Sequence, residues 1–282
     1  MAALRLRANE RAILHGLSNF NVPLVKPART NTVLTVHDLI PLIYPTMVSV
    51  ALRIQMQAYL PLALQRADAI VAVSEWTRQT LNERYPDTAE RVTVIPNGFP
   101  AASLRSTKRV ENAETIKILT IARHEPYKRL PMLLEIIRAA KGRLELTLIT
   151  DEAGCVFART HGLTAFRGLS AEAMTKARAA ADVYVHPSLV EGFCLPACEA
   201  LGAGLPVVYV EGSGLDEVVG SQCGLALSRH ASPLAWADAI EEAARRAQTP
   251  EFSGMIAGHL ATRATWDESA GRILELYGML AG

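Results

Sequence analysis

The chain has 282 residues, half of them hydrophobic, with 29 Lys/Arg against 28 Asp/Glu. Near-zero net charge argues against a nucleic-acid partner, and no apolar run reaches the roughly 18 residues of a transmembrane helix. Four cysteines without zinc spacing, Cys155, Cys194, Cys198 and Cys223, read as small thiols in a reducing cytoplasm.

The first eleven residues read as helical, with Arg5, Arg7 and Arg11 exposed, and lack the long apolar block of a signal peptide. Ala12 to His15 reads as a short strand, followed by a turn-rich loop to Pro23. Thr32–Val36 is a strand ending in His37-Asp38-Leu39, and residues 47–66 form a helix. Ala69–Val73 is a strand, Ser74 an N-cap, Glu75–Arg84 a helix and Val92–Ile95 a strand. Residues 99–115 are polar and irregular and read as a linker. Residues 1–110 hold 13 Lys/Arg against 7 Asp/Glu, and residues 111–282 hold 16 against 21. The basic half fits a solvated surface as well as an anionic membrane face or a lipid-phosphate acceptor.

After the linker the alternation restarts. Ile116–Ile121, Leu144–Ile149 and a short piece around Phe166-Arg-Gly168 read as strands, with helices over 131–141 and 171–181. Val183–Val185 is a strand stopped by Pro187-Ser188. A loop with Glu191 and Gly192 leads to a helix from Pro196, stopped by Gly202 and Gly204, and Leu205–Val210 is a buried strand. Gly224–Leu227 follows as a short strand, then helices near 232–247, 251–263 and 267–280. Such alternation on both sides of a linker gives two doubly wound α/β domains, over 1–110 and 111–264. The last helix, within 265–282, crosses back to the first. The helix entry at 191–196 is an anion site, with unpaired N–H groups and roughly half a positive charge.

Glu191-Gly-Phe-Cys-Leu-Pro-Ala-Cys-Glu199, with Pro187-Ser188 before it and Gly-x-Pro-Val-Val after it, resembles the Glu–seven–Glu signature of the family 4 retaining glycosyltransferases. The resemblance implies a GT-B fold, two Rossmann-like domains facing a cleft, the N-terminal one reduced. It implies a nucleotide-sugar donor, no cofactor and no metal. Glu199 then takes the nucleotide ribose and Glu191 lies near the donor sugar. Gly192, Phe193, Cys194 and Leu195 face phosphate or sugar hydroxyls through their backbone. The family usually has glycine where Cys194 stands. Arg123 and Lys128, on the loop after Ile121, resemble its pair of cations on the donor diphosphate. His37 resembles its first-domain histidine facing the donor sugar.

Around these, Asp38 reads as a loop anchor, His15 and Asn19 as acceptor-lining or structural, and Arg167 as a border of the base pocket. The resemblance implies hexosyl transfer, mannose, glucose or N-acetylglucosamine in type, to a glycan or lipid-linked acceptor in cell-envelope polysaccharide synthesis. The expected location is the cytoplasm, with peripheral contact at the inner membrane face through the basic half. Two other readings stay open: a donor-binding partner subunit inactive by itself or a truncated transferase, and a GT-B nucleotide-sugar epimerase or hydrolase.

Overall fold

The computed structural model describes residues 12–23, 25–26, 28–100 and 115–281. The expected N-terminal helix and most of the expected linker lie outside them. The chain divides into unit 1, residues 1–98 with 266–282, and unit 2, residues 99–265. Unit 1 therefore ends at Gly98, earlier than the expected boundary at 110. Phe99 belongs to unit 2, where its N–H donates to the Ala264 carbonyl.

In unit 1, four parallel strands lie in sequential order: β1 (Ala12–Gly16), β2 (Thr30–Val36), β3 (Ala69–Ala72) and β4 (Val92–Val94). Three helices connect them: α1 (Ile40–Ile43), α2 (Val50–Arg66) and α3 (Glu75–Arg84). Ser49 and Ser74 cap α2 and α3 through their side chains, as N-cap serines do. Successive strand residues point to opposite faces. Leu34, Val36 and Ile70 pack with Met56, Leu60, Leu64 and Leu81 of the helices. Val33, Ala69 and Val71 face the other way.

Unit 2 has six parallel strands in the order β10-β9-β8-β5-β6-β7. They are β5 (Ile116–Ile121), β6 (Leu144–Ile149), β7 (Ala165–Phe166), β8 (Val183–His186), β9 (Val207–Val210) and β10 (Gly224–Leu227). The connecting helices are α4 (Leu130–Ala139), α5 (Glu152–Thr160), α6 (Ala171–Ala180), α7 (Leu195–Gly202) and α8 (Gly214–Cys223). Two more follow, α9 (Pro233–Arg246) and α10 (Pro250–Ala261). From β5 the chain winds outward to β7, then returns beside β5 and winds the other way. The order reverses between β5 and β8, and such a switch point leaves a crevice at the carboxyl ends of the two strands. Val183 and Val185 pack with α4 and α9, centred on buried Trp236. Tyr184 and His186 therefore point to the opposite face.

The last helix, α11 (Trp266–Ala281), belongs to unit 1. Strand order explains why. Right-handed crossovers between parallel strands that run in one direction place their helices on one face. The second face of the unit 1 sheet would stay bare. Ile273, Leu276, Tyr277 and Leu280 of α11 cover it, against Val33, Ala69, Val71 and Ile95.

Candidate functional site

The site is built where the strand order of unit 2 reverses. Beyond β5, the loop Ala122–Arg129 carries Arg123, exposed, and Lys128, half-buried. Beyond β8, the loop Pro187–Cys194 enters α7. The two loops are laced together. Leu189 N–H donates to the Tyr127 carbonyl at 2.9 Å, and the Ser188 hydroxyl lies within 3.4 Å of the same oxygen. This brings Lys128 Nζ to 2.5 Å from Glu191 Oε1, across 63 residues of sequence.

Glu191 is 7% exposed, and a buried charge needs partners. It has two. Besides Lys128, His186 Nε2 lies 2.6 Å from the same Oε1. Burial alone would favour the neutral acid, but Lys128 and His186 outweigh it and hold the carboxyl at about 2. His186 answers in kind. Burial disfavours its cation, yet Cys194 and Glu191 beside it raise it to about 9. Its other nitrogen, Nδ1, lies 3.1 Å from the Tyr184 hydroxyl, which also reaches the Ile121 carbonyl at 3.3 Å. Among the described residues both side-chain contacts to Glu191 fall on Oε1, which leaves Oε2 for a further donor.

The turn into α7 is tightly specified. Cys194, its N-cap, has φ +78°, in the left-handed region where glycine sits without strain. Cys194 Sγ comes to 3.6 Å from His186 Nε2. A Cβ on Gly214 would collide with the Gly192 carbonyl, and Gly214 N–H donates to the Glu191 carbonyl at 2.9 Å. The start of α8 thus sets the path of residues 191 and 192. Phe193 is buried edge-on against Phe99, 5.7 Å between centroids, so only its backbone can serve a ligand. Leu195 opens α7, one residue before the expected start, and Pro196 takes the second position.

The α7 N-terminus borders a cavity of about 360 Å³ lined by Arg123, Lys128, Thr150, Asp151 and Pro196. Arg123 has no ion-pair partner among the described residues. Glu199 lies further along α7, with Arg178 Nη1 of α6 2.8 Å from its Oε2. Arg167 pairs with Glu152 at 2.8 Å and borders a separate 630 Å³ cavity along β7.

Unit 1 places the remaining residues. His37 N–H donates to Asn19 Oδ1 at 2.9 Å, and its Nε2 lies 2.8 Å from the Leu17 carbonyl. Asn19 donates on to the Asp38 carbonyl, and Asp38 accepts from Ile40 N–H at the start of α1. Asn19 and Asp38 are thus anchors of the loop that presents His37. His15 contacts Tyr277 of α11 and Thr35 of β2, at 2.5 and 2.8 Å. These contacts tie helix to sheet.

Two functional candidates escaped the sequence reading. His186 stands beside Pro187 at the end of β8, and the strand-end position of a histidine five residues before Glu191 was a usable signal. Arg178 carried none, since only the placement of α6 beside α7 brings it to Glu199.

Comparison with known proteins agrees with this construction. The family described as Glycosyl transferases group 1 matches residues 115–246, and Glycosyltransferase Family 4 matches residues 3–103. A D-inositol 3-phosphate glycosyltransferase of Corynebacterium diphtheriae is 37% identical over 100 residues, 35% of this chain and 23% of the relative. Such matches span about a quarter of the relatives' length. A sucrose-phosphate synthase from Thermosynechococcus elongatus shares the fold with TM-score 0.72 at 21% identity, over 89% of this chain and 68% of the other. Anabaena Alr3699/HepE, solved with UDP and glucose, has TM-score 0.70 at 18% identity, over 89% and 72%.

Proposed function

Since this chain belongs to the family 4 glycosyltransferases of GT-B fold, we propose that it moves a hexosyl group from a nucleotide-diphosphate sugar to an acceptor hydroxyl, with retention at the anomeric carbon. The observation that carries this reading is the meeting of Arg123, Lys128 and the α7 N-terminus at the switch point. The Lys128–Glu191 pair lies within the same cluster. As the anomeric C–O bond breaks, negative charge grows on the departing diphosphate. Arg123 supplies a planar fork for phosphate oxygens, and Lys128 and the helix N–H groups add charge that is already in place. The acceptor oxygen attacks on the face the diphosphate leaves, and the acceptor proton passes to a departing phosphate oxygen.

Glu191, fixed through Oε1, offers Oε2 to a hydroxyl of the donor sugar. Glu199, held by Arg178, takes the ribose diol. The acceptor is a glycan or a lipid-linked or inositol-phosphate hydroxyl, the last suggested by the names of the relatives. The place of action is the cytoplasm, in cell-envelope polysaccharide synthesis. Among the described residues no helix is long and apolar enough to cross a membrane.

A melting-temperature panel of UDP-, GDP- and ADP-sugars on the wild type and Arg123→Ala tests the reading. The expected result is a shift selective for one nucleotide that the variant loses. If no nucleotide shifts the melting point, the donor site is not functional in this chain alone, and a donor-binding role completed by a second protein replaces the proposal.

A further inference from the structure

The cluster behind the donor loop holds more ligating power than sugar transfer uses. His186 Nε2, a Glu191 carboxylate oxygen and Cys194 Sγ all lie within 4.8 Å of one another. We propose that these three side chains form a binding site for a borderline-soft divalent cation of the zinc type, and that an ion held there competes with the donor. The site does not depend on the donor reading. Only the competition does.

Three features carry it. The first is distance. A tetrahedral ion with its sulfur at about 2.3 Å and its nitrogen at about 2.0–2.1 Å holds these atoms about 3.6 Å apart. Cys194 Sγ and His186 Nε2 are 3.6 Å apart. The second is the donor set. Thiolate, imidazole and carboxylate together suit zinc-like ions and disfavour magnesium or calcium, which prefer oxygen. The third is orientation. His186 is 1% exposed, and Tyr184 fixes its far nitrogen, the outer support that metal-bound imidazoles have.

Lys128 is the competitor, since it holds Glu191 Oε1. The ion shares the Glu191 carboxylate with Lys128, and the His186–Glu191 contact opens around the metal. Binding expels the thiol proton and any proton shared by His186 and Glu191 to solvent, with no change of oxidation state. Cys194 is only partly buried. Solvent can therefore reach the site, and water completes the shell. A cation so placed fixes the Glu191 side chain and fills the space the sugar hydroxyl needs.

Cobalt titration of the full chain under reducing conditions tests this. Cobalt should give a near-ultraviolet sulfur-to-metal charge-transfer band saturating at one equivalent. Cys194→Gly, which suits the left-handed backbone, should abolish the band. Cys194→Ser should weaken cobalt affinity at least tenfold, and Cys155→Ser should leave the band intact. Unchanged far-ultraviolet circular dichroism certifies that each variant is folded, and the serine variant decides if the glycine variant is not. Absence of a band in the wild type at millimolar cobalt, or its survival in either Cys194 variant, overturns the proposal. UDP-glucose should displace the ion. If the band stands but nucleotide sugars neither bind nor displace it, the donor reading fails and the cation site remains.

Discussion

His15 in unit 1 and His186 in unit 2 are posed alike. Each lies on a parallel strand, and each sets Nδ1 against a tyrosine hydroxyl, Tyr277 for one and Tyr184 for the other. They differ in what meets Nε2: the Thr35 hydroxyl for His15, the Glu191 carboxylate for His186. Burial lowers the pKa of His15, because nothing charged offsets desolvation. Burial acts on His186 in the same direction, but Cys194 and Glu191 reverse the outcome. The same ring in the same kind of strand is a neutral tie in one unit and part of a charged cluster in the other. Unit 1 uses its buried polar groups to hold a helix. Unit 2 concentrates them where its strand order reverses, and burial with mutual pairing at such a crevice makes a candidate functional site.

The sharpest way to break the comparison is to remove a charge from unit 2. Lys128→Met leaves Glu191 buried with His186 as its remaining partner. Breaking a buried ion pair from one side costs roughly 3–5 kcal/mol, and we expect about 3 because His186 retains part of the pairing. Urea unfolding followed by fluorescence measures it. A loss below about 1 kcal/mol would class the pair with solvent-screened surface bridges. Arg123→Ala should do the reverse, leaving urea stability near wild type because the side chain is exposed. Its turnover should fall at least tenfold, about 1.4 kcal/mol of transition-state stabilisation. Near-normal kcat would remove Arg123 from the leaving-group role. Arg178→Ala sharpens the picture further along α7. The variant should raise the donor KM severalfold while changing kcat little, since Arg178 pairs with Glu199, the proposed ribose ligand. A kcat loss without a KM change would contradict that.

How much of this was legible follows from the range of the interactions. β5, β6, β8 and β9 are short strands rich in β-branched or apolar residues between breakers, and their pattern is local. The α7 entry is local too, because Gly192, Pro196 and the two glutamates stand within nine residues. α5 and α8 were missed, although Asp151 and the Ser213–Asp216 capping box mark their starts. Gly154 and Gly214, inside those first turns, masked the helical signal, and both are there for close packing. Lys128 joins the His186–Glu191 pair only through strand pairing between β5 and β8, so no spacing along the chain announces that contact. The role of α11 was implied by family resemblance alone. Its physical cause, a sheet wound in one direction with one face uncovered, emerges only from the strand order.

The smallest expected effect tests the neutral side of the comparison. Because the folded pKa of His15 lies below its unfolded value, its neutral form stabilises unit 1. That contribution is fully present above about 6.5 and is lost as pH falls through the lowered folded value. Protonation also removes the one acceptor nitrogen, so Tyr277 and Thr35 can no longer be served by an acceptor and a donor together. Wild-type melting temperature should therefore decline more between pH 7 and pH 5 than that of His15→Asn, which keeps a donor and an acceptor but does not titrate. Hydrogen exchange should localise the difference to α11 and β1. Parallel acid limbs in the two proteins would mean that His15 takes up its proton as readily in the fold as in the unfolded chain, and the contrast with His186 would fail.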